Sequence, residues 1–142
     1  MSENNVIISI RGQQAFEGAE GETMELVTEG LLQREPDGYT LSYQESEVTG
    51  MKGTLTTFQI EKDCVTLMRV GQFNSQMVFQ EGRRHLSMYD TPYGSLAVGI
   101  NTRKMRSAIG DQGGDIEIDH RVAGMNVFQI SVREKTPGAI AQ

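Results

Sequence analysis

Six side chains in this sequence are of kinds that bind ligands or move protons: Tyr43, Glu45, Arg69, Tyr89 and His120, which strand parity could turn inward, and Tyr93 in a turn. The guanidinium of Arg69 is a planar fork of donors suited to two-point contact with a carboxylate or phosphate. If buried, it needs a counter-charge, and Glu45 is the nearest carboxylate in strand order. Two uses of that pair compete: a structural ion pair at the end of a barrel, and an anchor for an acidic group on a ligand. Glu45 beside Tyr43 or His120 would form an acid–base pair if the distance allowed it. His120 stands on the apolar face of Asp115–Val122, so it reads either as a hydrogen-bonded core histidine or as a polar contact deep in a cavity. Tyr89 and Tyr93 flank the turn Thr91-Pro92-Tyr93-Gly94, where a tyrosine either packs across strands or gates an opening.

Other chemistry finds little support. His85 is the only other histidine and Cys64 the only cysteine, which is too few nitrogen and sulfur ligands for a zinc site. Cys64 reads as a small buried or half-buried hydrophobe, and a lone thiol forms no intramolecular disulfide. The carboxylates Asp111, Asp115, Glu117 and Asp119 lack the glycine and terminal glutamate register of a calcium loop and read as a solvated face. No catalytic motif, metal site or cofactor motif is present, so no catalytic residues are assigned.

These side chains must be held by strands. Met77 and Phe79, then Leu86 and Met88, then Leu96, Val98 and Ile100 alternate through Gln76–Ile100, broken at Gly82-Arg83-Arg84 and at Thr91–Gly94. The same pattern runs through Val6–Phe16, Glu22–Arg34, Tyr39–Glu47, Thr54–Glu61, Cys64–Val70, Asp115–Val122 and Asn126–Arg133. Glu35-Pro36-Asp37-Gly38 and Lys62-Asp63 are tight corners. Gly18–Gly21, Thr49–Gly53 and Ala123–Met125 are expected turns, Gly110–Gly114 a flexible loop, and 136–142 a frayed tail. A helix over Glu22–Gln33 is the rival reading, and Gly30 would switch which face of that segment points inward. Met24, Met68, Met77 and Met88 are expected to fill the core. Nine or ten short strands with uniformly short links predict an all-β fold, an antiparallel up-and-down β-barrel of about 8–10 strands.

The chain has 142 residues, the size of one domain, with its core over about 6–133. Its net charge of -6 repels phosphate backbones, so nucleic acid is an unsuitable partner. Arg83-Arg84 and Arg103-Lys104-Met105-Arg106 read as solvated strand ends, with an anion patch as the alternative. No apolar run is long enough to span a membrane as a helix, and the N-terminus is a poor secretion signal, which predicts a cytoplasmic protein.

The ordered landmarks Thr28-Glu29-Gly30, Tyr39-x-Leu41-x-Tyr43-x-Glu45, Gly53-Thr54, Val65-Thr66-Leu67-Met68-Arg69-x-Gly71, Met77-x-Phe79-x-x-Gly82, Tyr89-x-Thr91-x-Tyr93-Gly94 and Asp119-His120 resemble the DUF1934 family of bacterial proteins. The resemblance runs from about Val6 to Arg133. It implies a calycin-like, lipocalin-like barrel and carries no activity to transfer. One departure is His120, where the family pattern has tyrosine after the aspartate. Three functions follow in order of preference. The first is binding of a small apolar or amphipathic ligand inside the barrel. The second is a non-catalytic interaction module or homodimer, and the third is an enzyme using Tyr43, Glu45, Arg69, Tyr89 or His120.

Overall fold

The structure, a computed structural model, describes residues 3–15, 22–47, 52–121 and 125–134. Expected turns over 18–21 and at 123–124, part of the loop at 49–53, and the tail from 136 lie outside these residues. Ten strands are described: β1 (Glu3–Ala15), β2 (Glu22–Glu35), β3 (Gly38–Gln44), β4 (Leu55–Glu61), β5 (Val65–Val70), β6 (Ser75–Phe79), β7 (Arg84–Thr91), β8 (Gly94–Gly110), β9 (Gly113–Arg121) and β10 (Met125–Glu134). Each pairs antiparallel with its sequence neighbour, and β1 pairs with β10 to close the barrel. Closure gives every strand a partner on both sides over part of its length, which shortens the edges open to another chain. Among the described residues there is no helix long and apolar enough to cross a membrane.

The alternation in sequence becomes inside and outside. Val6, Ile8, Ile10, Leu32, Leu41, Phe58, Ile60, Val65, Leu67, Met77, Phe79, Ile100, Ile116, Ile118, Ile130 and Val132 form one buried cluster. Along β4, Thr56, Phe58 and Ile60 are buried while Leu55, Gln59 and Glu61 are exposed, the period of two expected of a strand with one dry face. Segment 22–35 is a strand, because its turn to β3 at Pro36-Asp37 fixes it in a hairpin and Leu32 then faces Leu41. Gly30 does not switch its faces. Leu26 and Leu32 pack on the same interior, and glycine is needed at 30 because a Cβ there would collide with the Ile8 side chain and the Ser42 carbonyl.

β8 is longer than its neighbours, as a strand running on past Ile100 to Met105 or beyond would be, and the segment after it departs from the flexible loop expected there. The strand runs on to Gly110, and a register shift between Thr102 and Lys104 makes Arg103 an extra residue in the ladder to β9. Such a bulge changes parity. Ile100 and Thr102 are buried before it, and Met105 and Ile109 pack on the core after it. The expected flexible loop at 110–114 is a two-residue turn, Asp111-Gln112, with Gly113 at φ 118°. It is tied across the barrel end: Tyr39 Oη donates to Asp111 Oδ1 at 2.7 Å and Asn4 Nδ2 donates to the Asp111 carbonyl at 2.6 Å. That hydrogen bond to a carboxylate raises the Tyr39 pKa.

The largest departure is β7. Leu86 and Met88 are 66% and 49% exposed, while Ser87 is buried. The pairing of Tyr89 with Ser75 and of Met88 with Gln76 sets that register. Met68, opposite Gln76 on β5, is half-buried on the outer side of its strand, so of the four methionines expected in the core Met77 is buried, Met68 half-buried and Met88 exposed.

Candidate functional site

Register places Tyr43 opposite Thr56, Thr56 opposite Arg69, Arg69 opposite Ser75, and Ser75 opposite Tyr89. Directly paired residues on one face of a sheet have Cβ atoms about 5 Å apart. Five consecutive strands, β3 to β7, therefore contribute one inward row in which every side chain carries a polar group, while the Tyr43 ring also belongs to the apolar cluster and the Tyr89 ring packs against it. Phe58, Leu67 and Met77 form the next inward level and are buried. The row lies toward the barrel end that carries the β5–β6 and β7–β8 turns. Glu45, just past β3, joins it because its amide donates to the Thr54 carbonyl at 2.8 Å and prolongs the β3–β4 ladder.

Glu45 is the centre of the belt. Its side chain is 1% exposed, and that of Arg69 is 24% exposed. Thr56 Oγ1 donates to Glu45 Oε2 at 2.5 Å, and Arg69 Nε lies 3.9 Å from the same oxygen. The second separation is ion-pair contact without a hydrogen bond. Among the described residues, Glu45 Oε1 and Arg69 Nε have no hydrogen-bond partner. Burial, and then the adjacent Glu45 charge, hold the Tyr43 phenol protonated far above its usual pKa. Burial also raises the Tyr89 pKa, and the Arg69 charge opposes that rise. Both phenols therefore present neutral hydroxyls beside a buried ion pair.

The six residues singled out from sequence divide three ways. Tyr43, Glu45, Arg69 and Tyr89 come together. Tyr93, in the β7–β8 turn, is 99% exposed and stands outside the belt. His120 points inward but belongs to another cluster. It pairs with Thr102, its ring meets Phe79 edge-on at 5.2 Å, and Phe79 is four residues along β6 from Ser75, roughly 13 Å of strand rise. Thr56 and Ser75 went unnoticed in the sequence because short hydroxyl residues are unremarkable in strands. Their parity with Phe58 and Met77 was the available signal.

Burial pulls the His120 pKa below its ordinary value, against a smaller opposing effect of Asp119. The folded state thus takes up a proton less readily than the unfolded chain. The stability this group contributes is present above about pH 6.5 and is lost as pH falls through the depressed folded value. His120→Tyr is expected to flatten the fall in urea midpoint between pH 7 and pH 5. An unchanged profile would show that other groups carry it.

Elsewhere, Arg83, Arg84 and Arg103 line one surface depression, where Arg103 is paired with Asp119 at 3.4 Å. Among the described residues no three His, Cys, Asp or Glu side chains are grouped to hold a metal. Cys64 is half-buried at the β4–β5 corner, where its carbonyl accepts from the Glu61 amide.

A family model described as "Domain of unknown function (DUF1934)" matches residues 8–127. The crystal structure of the ywiB protein from Bacillus subtilis superposes with a TM-score of 0.86 at 19% identity, covering 96% of this chain and 95% of that one. At that identity the likeness speaks for a shared fold. No curated protein matches the chain.

Proposed function

The chain belongs to the DUF1934 family, and on that premise we propose that it is a binding protein whose barrel takes a small amphipathic molecule. The polar end rests on Glu45 and Arg69, and the apolar part lies among the inward aliphatic side chains. The observation that carries this reading is the buried Glu45 carboxylate, with one oxygen unsatisfied beside an unsatisfied Arg69 Nε. An unpaired buried polar group costs about 1–3 kcal/mol, and more if charged. A filled hydrophobic position would be better for stability alone. A ligand group that both donates and accepts would satisfy both atoms.

The belt also discriminates among ligands. Arg69 is already paired, so a carboxylate ligand would bring a second negative charge beside Glu45. A hydroxyl or amide avoids that repulsion while donating to Oε1 and accepting from Nε. The separation of His120 from Glu45 argues against an acid–base enzyme. The lone cysteine suits a protein of the cytoplasm.

Native mass spectrometry of freshly purified protein tests the reading, followed by titration with decanol, decanamide and decanoate at pH 7.5. A co-purified mass, or binding of decanol and decanamide about tenfold tighter than decanoate, is expected. No co-purified mass and no binding of any of the three would refute it. Preferential binding of decanoate would keep the reading of a binding protein but overturn the head-group assignment.

A further inference from the structure

The outward row of β7 reads Arg84, Leu86, Met88, Asp90, because His85, Ser87 and Tyr89 take the other face. A strand in a closed barrel ordinarily turns its apolar residues inward. This one buries Ser87, whose Oγ has no hydrogen-bond partner among the described residues, and shows Leu86 and Met88 to the outside. The neighbouring outward positions on β8 are small: Gly99 opposite Leu86, Ala97 opposite Met88 and Ser95 opposite Asp90. A low shelf therefore runs beside an apolar ridge. The Arg84 guanidinium lies across Gly99, where a Cβ would collide with it, so the arginine is held along the surface. At the far end Asp90 accepts from Ser95 Oγ at 3.0 Å.

We propose that the outer face of β7 and β8 docks a second copy of this chain, about a two-fold axis passing near Ser87. The charge order argues for a copy over a foreign partner. The row begins with a cation, ends with an anion and is apolar between, so it is complementary to its own reverse. A two-fold apposition sets Arg84 against Asp90 of the other copy, and Leu86 against its Met88. An interface of this kind is self-complementary by symmetry. The ridges of the two copies would meet each other, and the small Ala97 and Ser95 beside them raise no obstacle to that approach. The surface is independent of the interior belt, since alternate residues of one strand serve the two faces.

Sedimentation equilibrium on the full chain across a micromolar to millimolar series tests this. A concentration-dependent shift toward twice the monomer mass of 15.7 kDa is expected. Leu86→Lys with Met88→Lys is expected to abolish the shift, and circular dichroism checks that the barrel is intact. Because both residues are exposed, folding should survive. Arg84→Asp and Asp90→Arg are each expected to weaken association about tenfold by placing like charges together. Mixing the two single variants should restore it, because each then meets the opposite charge at both ends. A monomer at every concentration overturns the proposal. So does a dimer unaffected by the lysine pair, or a mixture no tighter than the single variants. Association of the wild-type chain only with a different protein would assign the surface to a foreign partner and also overturn it.

Discussion

Arg69→Met lowers the free energy of unfolding by about 2 kcal/mol, and adding Glu45→Gln recovers most of that loss. Breaking a fully buried pair on one side costs about 3–5 kcal/mol, because the remaining charge is left in a medium that solvates it poorly. Arg69 is about a quarter exposed and sits 3.9 Å from its partner without a hydrogen bond, so solvent screens the pair and the lower figure applies. Glu45 has no such relief, since its side chain is 1% exposed. Without Arg69, Thr56 and the neighbouring Tyr43 phenol are its remaining support. Neutralising both partners removes the stranded charge and leaves groups of similar volume. The measurement is a double-mutant cycle by urea unfolding. Additive losses would mean the two groups do not interact. An Arg69→Met protein as stable as wild type would mean water already solvates Glu45.

Phe58→Ala is expected to cost more, about 3–5 kcal/mol, or roughly 10 °C in Tm. Phe58 is 1% exposed and lies between Leu41 and Leu67, one inward level from the belt. Truncation loses the ring's transfer free energy and leaves a cavity that a closed ladder cannot collapse to fill. The same cavity would open one inward level from Glu45 and Arg69. If the interior binds an amphipathic molecule, saturating ligand returns part of the loss, about 2.7 kcal/mol at a hundredfold excess over Kd. Thermal unfolding with and without decanamide reads both effects. A loss under about 1 kcal/mol would mean that the ring is loosely packed. An intact loss with no ligand rescue would count against the binding reading and leave the packing argument standing.

The barrel was legible because its cause is local. A period of two along Tyr39–Glu45, Leu55–Glu61 and Asp115–His120 needs a sheet with one dry face, and corners such as Pro36-Asp37 and Lys62-Asp63 are too short for any link but a hairpin. The pairing of Glu45 with Arg69 was legible for a related reason: an inward arginine needs a carboxylate, and strand order offered one. The face of β7 was not. Its alternation is as clean as that of its neighbours, and sequence reports the period without the phase. A one-residue difference in register exchanges the two faces, and the choice was made by the pairing of Tyr89 with Ser75. His120 shows the same limit along the other axis. Parity sent it inward correctly, but its height in the barrel depends on the register of β8 with β9, where the bulge at Arg103 adds a residue. The sequence thus determined that a closed sheet would form and which residue types it would enclose. Tertiary structure decided which of them meet, because phase and register are properties of pairs of strands and are written in neither strand alone.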